Sequence, residues 1–564
     1  MPKPASQQFL STLGRTIEEG VLLQRQGRLA EAEKIYTRVL KTLPDQFETL
    51  QLLAEIKMQR AKPGEALRLM TAAVAARPDS VDARVHLGHV LRALKRDTDA
   101  LASYERGLAI DPDNVEALGN RGDILLALQR PVEAIVCFEK VLAVSPEHPA
   151  AWANRGVALA ELGRYEEALT DFEAALAAAP NPLTFFNYGK TLAALGRHSE
   201  SAAAFDRAVA VVPGHVGAWS SRGVSLQALN HHSEAITSFD KALAIDPDYA
   251  DAHFNKALAL LAIGDYSRGL IEYEWRWRRS GAERLRQNFG RPLWRGDYPL
   301  LGRTILLHAE QGLGDTIQFV RYVAPLAHSG ASVILEVHQE LKPLLSRLDG
   351  CQATIALGEA RPAFDVHCPL GTLPMAFKTE FATVPAEIPY LFADTDRVDR
   401  WRQRLEPLGG PRVALVWAGN VAHANDRNRS IPLAKLQSLW AGDGARFVSL
   451  QRDLRDSDAE ILAASPVLHL GGELADFDDT AAVLSLCDLV VAVDTSVVHL
   501  AAAMGRPTWV LLPFSSDWRW TAAADSNPWY PAVRQFRQPL PGDWNSVVTQ
   551  VLSELATFGT TAPA

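Results

Sequence analysis

The sequence predicts an all-α array of paired helices followed by two α/β lobes, a multidomain chain of the α plus α/β class. Three observations predict it. Prolines recur at a fixed spacing through the first half, that spacing stops near residue 280, and short β-branched runs then alternate with helical stretches. At 564 residues the chain is too long for one hydrophobic core.

The repeat comes first. Pro44, Pro78, Pro112, Pro146 and Pro180 are each 34 residues apart; Pro213 follows after 33 and Pro247 after 34. A small residue keeps the same register at Ala32, Ala66, Ala100, Ala134, Ala168, Ser201, Ala235 and Gly269. Four residues later stands Tyr36, Met70, Tyr104, Phe138, Phe172, Phe205, Phe239 or Tyr273. The small residue lets two antiparallel helices approach, the large one fills the gap, and Pro ends the second helix. This pattern resembles the tetratricopeptide repeat over about residues 15–280, in about eight units, with residues 1–14 as an N-terminal segment. The last unit lacks the closing Pro and carries Trp275 and Trp277, as a cap or as a surface that docks onto the next domain. Asn120, Asn154, Asn187 and Asn255 share one position on the first helix, with Ser221 filling the gap and His86 preceding. Amides there suit an extended peptide backbone in a groove; the bland alternative is that Asn is simply common at this position.

Residues 281–302 read as a connector. Beyond it TILLHA, ASVILEV, RVALVWAG, RFVSLQ, LVVAVD and TWVLL are apolar strands of parallel sheets covered on both faces. They divide into a first lobe, 303–395, and a second, 396–555, with 556–564 as a disordered tail. Ligands of open parallel sheets bind at the carboxyl ends of the strands.

Three segments there carry candidate chemistry. In TILLHAEQGLGDTIQF, Gly312 and Gly314 permit a tight loop, and Asp315 opens a helix as an N-cap or as a base facing the cleft. In VVAVDTSVVHLAAAMGRP, a strand ends at Asp494; Thr495 and Ser496 open a helix suited to a diphosphate, and His499 lies on its first face. In VWAGNVAHANDRNRSIPL, a polar loop holds Asn420, Asp426, Arg427 and Arg429, and an arginine aimed into the cleft would neutralise a diphosphate.

The rest of the composition excludes function classes. The net charge of −9, from 57 basic and 66 acidic residues, gives no electrostatic footprint for nucleic acid. Cys137, Cys351, Cys368 and Cys487 are far apart and form no metal cluster, so no metal is expected. The N-terminus lacks the apolar run of a signal peptide, and no segment reads as a membrane span. A cytoplasmic protein is expected.

Together, DTSVVHLAAAMGRP, GLGDTIQFVRYV and NDRNRSIPL resemble the heptosyltransferase-type glycosyltransferases, the ADP-heptose lipopolysaccharide family, over about residues 303–550. More closely, the chain resembles bacterial proteins that join tetratricopeptide repeats to such a domain. The resemblance implies two Rossmann-like lobes (GT-B-like) and metal-independent, inverting transfer from a nucleotide-diphosphate sugar, a co-substrate with no other cofactor. It implies Asp315 as the base that activates the acceptor, and Asp494, Thr495, Ser496 and His499 as the donor segment. Arg429 takes the place of a basic residue before an aromatic–Pro pair, here Ser430, Ile431 and Pro432, and Ser496 stands where that family usually has Gly. The donor base, the sugar and the acceptor stay open. The leading expectation is a transferase acting on a protein or glycan, with the array recruiting the acceptor or a partner. The alternative is a non-catalytic interaction scaffold with a degenerate transferase domain.

Overall fold

The computed structural model describes residues 7–282, 287–422, 425–442, 444–521 and 527–558, with side chains from Thr12 onward. The chain divides into two compact units, 1–218 and 219–564. The last two repeats therefore belong to the same unit as the α/β lobes.

Among the described residues, eight helix pairs occupy the first half, from Gln7–Arg25 with Leu29–Thr42 to Ala250–Ala262 with Tyr266–Tyr273. The first helix thus begins inside the segment 1–14, of which residues 1–6 lie outside the described residues. Ala32, Ala66, Ala100, Ala134, Ala168, Ser201 and Ala235 are all fully buried. A second small residue explains how the large one fits. Gly20, Gly88, Gly122, Gly156, Gly189 and Gly223 each lie sixteen residues before an aromatic ring, so close that a Cβ there would sit 2.4–2.9 Å from it. Where the ring is replaced by Met70, the matching position is Ala54.

The first lobe is a four-stranded parallel sheet, ordered β3-β2-β1-β4: β1 Thr304–His308, β2 Ser332–Val337, β3 Cys351–Ala356 and β4 Val366–Pro369. The second is six-stranded and parallel, ordered β10-β9-β8-β5-β6-β7: β5 Arg412–Val416, β6 Arg446–Ser449, β7 Leu468–His469, β8 Leu489–Val493, β9 Thr508–Leu512 and β10 Arg534–Arg537. Both are doubly wound orders whose direction of winding reverses once, between β1 and β4 and between β5 and β8. Within the connector, residues 292–294 lie along the first sheet: Trp294 N donates to His367 O at 2.9 Å and His367 N to Pro292 O at 3.0 Å, setting Leu293 beside β4. The closing helix Trp544–Phe558 reaches into the stretch expected as a tail, of which 559–564 lie outside the described residues.

One buried core joins Leu261, Tyr266, Leu270 and Tyr273 of the last repeat to both lobes. No helix among the described residues is long and apolar enough to cross a membrane.

Candidate functional site

The reversal between β5 and β8 places two loops side by side. After β5, Gln451 Oε1 accepts from Trp417 N and Ala418 N, which fixes the turn into Gly419. The polar loop beyond forms a short helix, Asp426–Arg429. Buried Asp426 is its hub, accepting from Ser430 Oγ at 2.7 Å and from Arg455 Nη2 at 2.7 Å, and Ser430 Oγ accepts from Gly419 N at 3.1 Å. Asp426 and Ser430 are thus structural, while Asn420 and Arg427 are exposed. Arg429 lies flat over Gly419 and donates from Nη1 to the main-chain oxygen of Asp494 at 3.1 Å. Its Nε is buried and makes no hydrogen bond.

After β8 come Asp494, Thr495 and the helix Ser496–Ala503. Thr495 is the N-cap by position, yet its Oγ1 makes no capping bond and is buried without a partner. The Asp494 carboxyl is pushed above the usual range, first by loss of water and then by the charge of Asp517. Buried donors and acceptors of this kind are uncommon, and here they converge where a sheet of this order binds ligands.

His499 requires a correction. Placed by sequence at the donor phosphates, it is 5% exposed, its Nδ1 lies 3.1 Å from Tyr530 Oη, and its Nε2 is 3.8 Å from Asp494 Oδ1. Burial lowers it to about 3, so it is neutral. It stands behind Asp494. It also carries the lobe contact: a Cβ on Gly314 would lie 2.9 Å from His499 Cδ2 and 3.5 Å from Ser496 Cα. Glycine is required there by the approach of the first-lobe loop.

That approach brings Asp315 to the same place. Asp315 is not the N-cap, which is Gly312, but the third residue of the helix: its Oδ2 reaches back to accept from Gly312 N at 2.9 Å, and its Oδ1 accepts from Arg519 Nη2. Arg519 and Asp517, on the loop 513–521 after β9, were missed by the sequence reading. The signal was available, because SSDWRW follows a strand's carboxyl end just as Asp494 does. The expected site residues Gly312, Gly314, Asp315, Arg429, Asp494, Thr495, Ser496 and His499 therefore gather in one region.

The reversal of the first sheet is occupied differently. Glu310, after β1, accepts from Gly371 N, after β4, at 3.1 Å. Arg276 of the last repeat reaches between them, with Nη2 3.2 Å from Glu310 Oε1 and 2.8 Å from Thr372 Oγ1. Loss of water raises Glu310 to about 7 against the opposing charge of Arg276. Arg276 is thus the polar anchor of the last unit, beside its apolar core, while Trp275 stacks on His253 within the repeats.

The asparagine ladder lies on the first helices, half-buried and partly engaged. Asn120 Nδ2 donates to Glu116 O at 2.8 Å, and Asn154 Nδ2 donates to Asp123 of the preceding unit at 2.7 Å. Asn187 and Asn255 are likewise half-buried. Among the described residues, no group of three His, Cys, Asp or Glu side chains is placed to hold a metal ion.

Comparison with known proteins agrees with this division. Residues 52–115, 98–137 and 120–181 match the family "Tetratricopeptide repeat", and 228–264 match "TPR repeat". Residues 458–539 match "Glycosyltransferase family 9 (heptosyltransferase)", a stretch that holds Asp494, His499 and the loop 513–521 but neither Asp315 nor Arg429. Protein FlbA of Caulobacter vibrioides is 29% identical over 294 residues, 47% of this chain and 48% of that protein. The chain thus spans about half the length of the curated relative it matches. Among solved structures, YrrB, described as a TPR protein with an unusual peptide-binding site, is 25% identical over 34% of this chain and 98% of its own, with a TM-score of 0.30. A tetratricopeptide repeat protein from Parabacteroides merdae is 20% identical over 44% of this chain and 99% of its own, with a TM-score of 0.37. The chain joins tetratricopeptide repeats to a heptosyltransferase-type segment.

Proposed function

We propose that this fusion is a glycosyltransferase that moves a sugar from a nucleoside diphosphate to a hydroxyl of a protein or glycan, with the array recruiting the acceptor or a partner. The observation that carries the reading is the β5–β8 reversal. There Arg429, the unpartnered Thr495 hydroxyl and the N-terminus of Ser496–Ala503 meet, with Asp315 of the other lobe nearby. Arg429 and the free N–H groups of that helix supply the positive charge that a leaving diphosphate needs, so the transfer we propose uses no metal. Asp494 accepts from sugar hydroxyls. Asp315 accepts the acceptor's proton as the new bond forms, on the face opposite the leaving group, which inverts the sugar carbon. Four free cysteines suit a reducing cytoplasm.

The test is calorimetry with a panel of nucleoside diphosphates and their sugars, without added metal, alongside Asp494→Ala. Selective binding that the substitution weakens supports a donor site. Asp315→Asn should then keep donor binding and lose transfer; unchanged turnover rejects the assigned base. One observation favours the scaffold reading: both Asp315 oxygens are already engaged, by Gly312 N and by Arg519. If no member of the panel binds, that reading stands and the repeat surface is the working part.

A further inference from the structure

Arg519 is 7% exposed and has every side-chain nitrogen engaged. Nε donates to Gln318 Oε1 at 2.6 Å, Nη1 to Asp517 Oδ1 at 2.9 Å, and Nη2 to Asp315 Oδ1. The rings of Trp518 and Phe319 hold the guanidinium, with Cζ 4.4 and 5.5 Å from their centroids. Asp315 and Gln318 lie three residues apart on one face of the helix Leu313–Phe319 in the first lobe. A planar fork that grips both fixes the position and the rotation of that helix relative to the second lobe. An ammonium group, with donors at a single point, cannot span them.

The loop that carries Arg519 is anchored from its other side by the last two repeats. Asn230 Nδ2 donates to Phe514 O at 2.9 Å, Ser515 Oγ to Gln227 O at 3.2 Å, and Thr521 Oγ1 to Ala262 O at 3.1 Å. Gln227 and Ala262 sit at the carboxyl ends of the first helices of those units, where main-chain oxygens lack intrahelical partners. Farther along, Asn527 Nδ2 donates to Arg519 O at 2.6 Å, and Trp529 Nε1 to Tyr266 Oη at 2.8 Å. Hydrogen bonds therefore run from two repeat helices, through one loop, to the carboxylate in the cleft.

We infer that Arg519 is the positioning residue for Asp315, and that loop 513–521 sets this position from the seventh and eighth repeat units. The inference rests on Asp315 being the base, and it makes the last repeats part of the transfer site: a partner that shifts them shifts Asp315.

Two variants test it. Asn230 has φ 60°, so Asn230→Gly removes the amide while leaving the backbone unstrained. Arg519→Lys keeps the charge and loses the fork. Amide hydrogen exchange in the full chain is measured over 312–319 and 513–521. Both segments should exchange faster in both variants, by at least about tenfold in Arg519→Lys, the size of one charge-assisted hydrogen bond. If 513–521 loosens while 312–319 stays at the native rate, the coupling is rejected, whether or not the chain is a transferase. With whichever nucleotide sugar the panel identifies, Arg519→Lys should lower kcat and leave the donor KM within about twofold. Loss of donor affinity instead would make Arg519 a donor ligand and overturn its assignment.

Discussion

Gly419→Ala separates the proposed donor site from the stability of the fold. A methyl at this position would sit 2.4 Å from Arg429 Nη2 and 2.7 Å from both Cζ and Nε, closer than the 3.0 Å that real Cβ contacts respect. The guanidinium must leave, and with it goes the 3.1 Å bond to Asp494 O that aims it. The displaced group is the flexible end of a side chain that is already 15% exposed, so refolding around it costs little. A diphosphate bound as proposed would, by contrast, lose a charge-assisted partner, about 1.5–3 kcal/mol. That corresponds to a ten- to hundredfold rise in Kd, at about 1.4 kcal/mol per decade. Calorimetry with the nucleoside diphosphate that binds the native protein reads this directly, and thermal unfolding should shift by no more than a few degrees. Arg429→Ala should show the same loss, and the double variant no further loss, because both substitutions remove one interaction. Native affinity in Gly419→Ala, or a clearly additive double variant, refutes the placement of Arg429 at the donor.

Two further substitutions probe the packing and the buried imidazole. In the repeats, Gly122→Ala puts a methyl 2.6 Å from the buried Phe138 ring and should cost about 1–3 kcal/mol in denaturant unfolding. Adding Phe138→Met should recover much of this, because Ala54 with Met70 is the chain's own version of that pair; no recovery would mean the glycine serves some other need. His499 titrates near 3 when folded against 6.5 in the unfolded chain. Between those values the unfolded state takes up a proton that the folded site refuses, so this residue's contribution to stability falls as pH drops from 6.5 toward 3. His499→Gln should therefore lose stability less steeply than the native protein from pH 6.5 to about pH 4, and parallel urea midpoints across that range would show that His499 is not buried neutral.

The parts legible from sequence were those with strong periodicity or full burial. The 34-residue register fixes the helix pairs because each small residue and each ring is wholly enclosed. The six strands read as apolar runs include β8 and β9, buried at every position. The four that escaped are β3, β4, β7 and β10. CQATIA is interrupted by Gln352 and Thr354, VHCP is four residues long, β7 is two residues long, and RQFR is an edge strand with a single fully buried residue. For the site, position after a strand points to Asp494 and Arg429, which the reversal between β5 and β8 sets side by side. It failed for His499 because a residue on the first turn of a helix faces either the ligand or the core, and only the neighbouring lobe decides which. Arg519 also follows a strand, but its partners Asp315 and Gln318 stand in the other lobe, and Arg276 reaches Glu310 and Thr372 across the 281–302 connector, so neither pairing shows as a local pattern.

That boundary is itself testable. By period the array ends near residue 280, but Leu261, Tyr266, Leu270 and Tyr273 are buried in the core of the lobes. Tyr266 packs its ring about 6 Å from those of Trp518 and Trp529, and Arg276 fills the crevice at Glu310 and Thr372. At about 1.5–3 kcal/mol for each large apolar side chain buried, these four contribute on the order of 6–12 kcal/mol. That is comparable to the whole stability of a domain, about 5–15 kcal/mol. Glu310 would also keep its buried carboxylate without a cation. A fragment beginning at Gly281 is therefore expected to expose Trp518 and Trp529 and to lack a cooperative unfolding transition, whereas one beginning at Pro213, which retains both last repeats, should melt cooperatively. Equal cooperativity in the two fragments would mean that the lobes fold without the repeats and that the repeat contacts are a docking surface only.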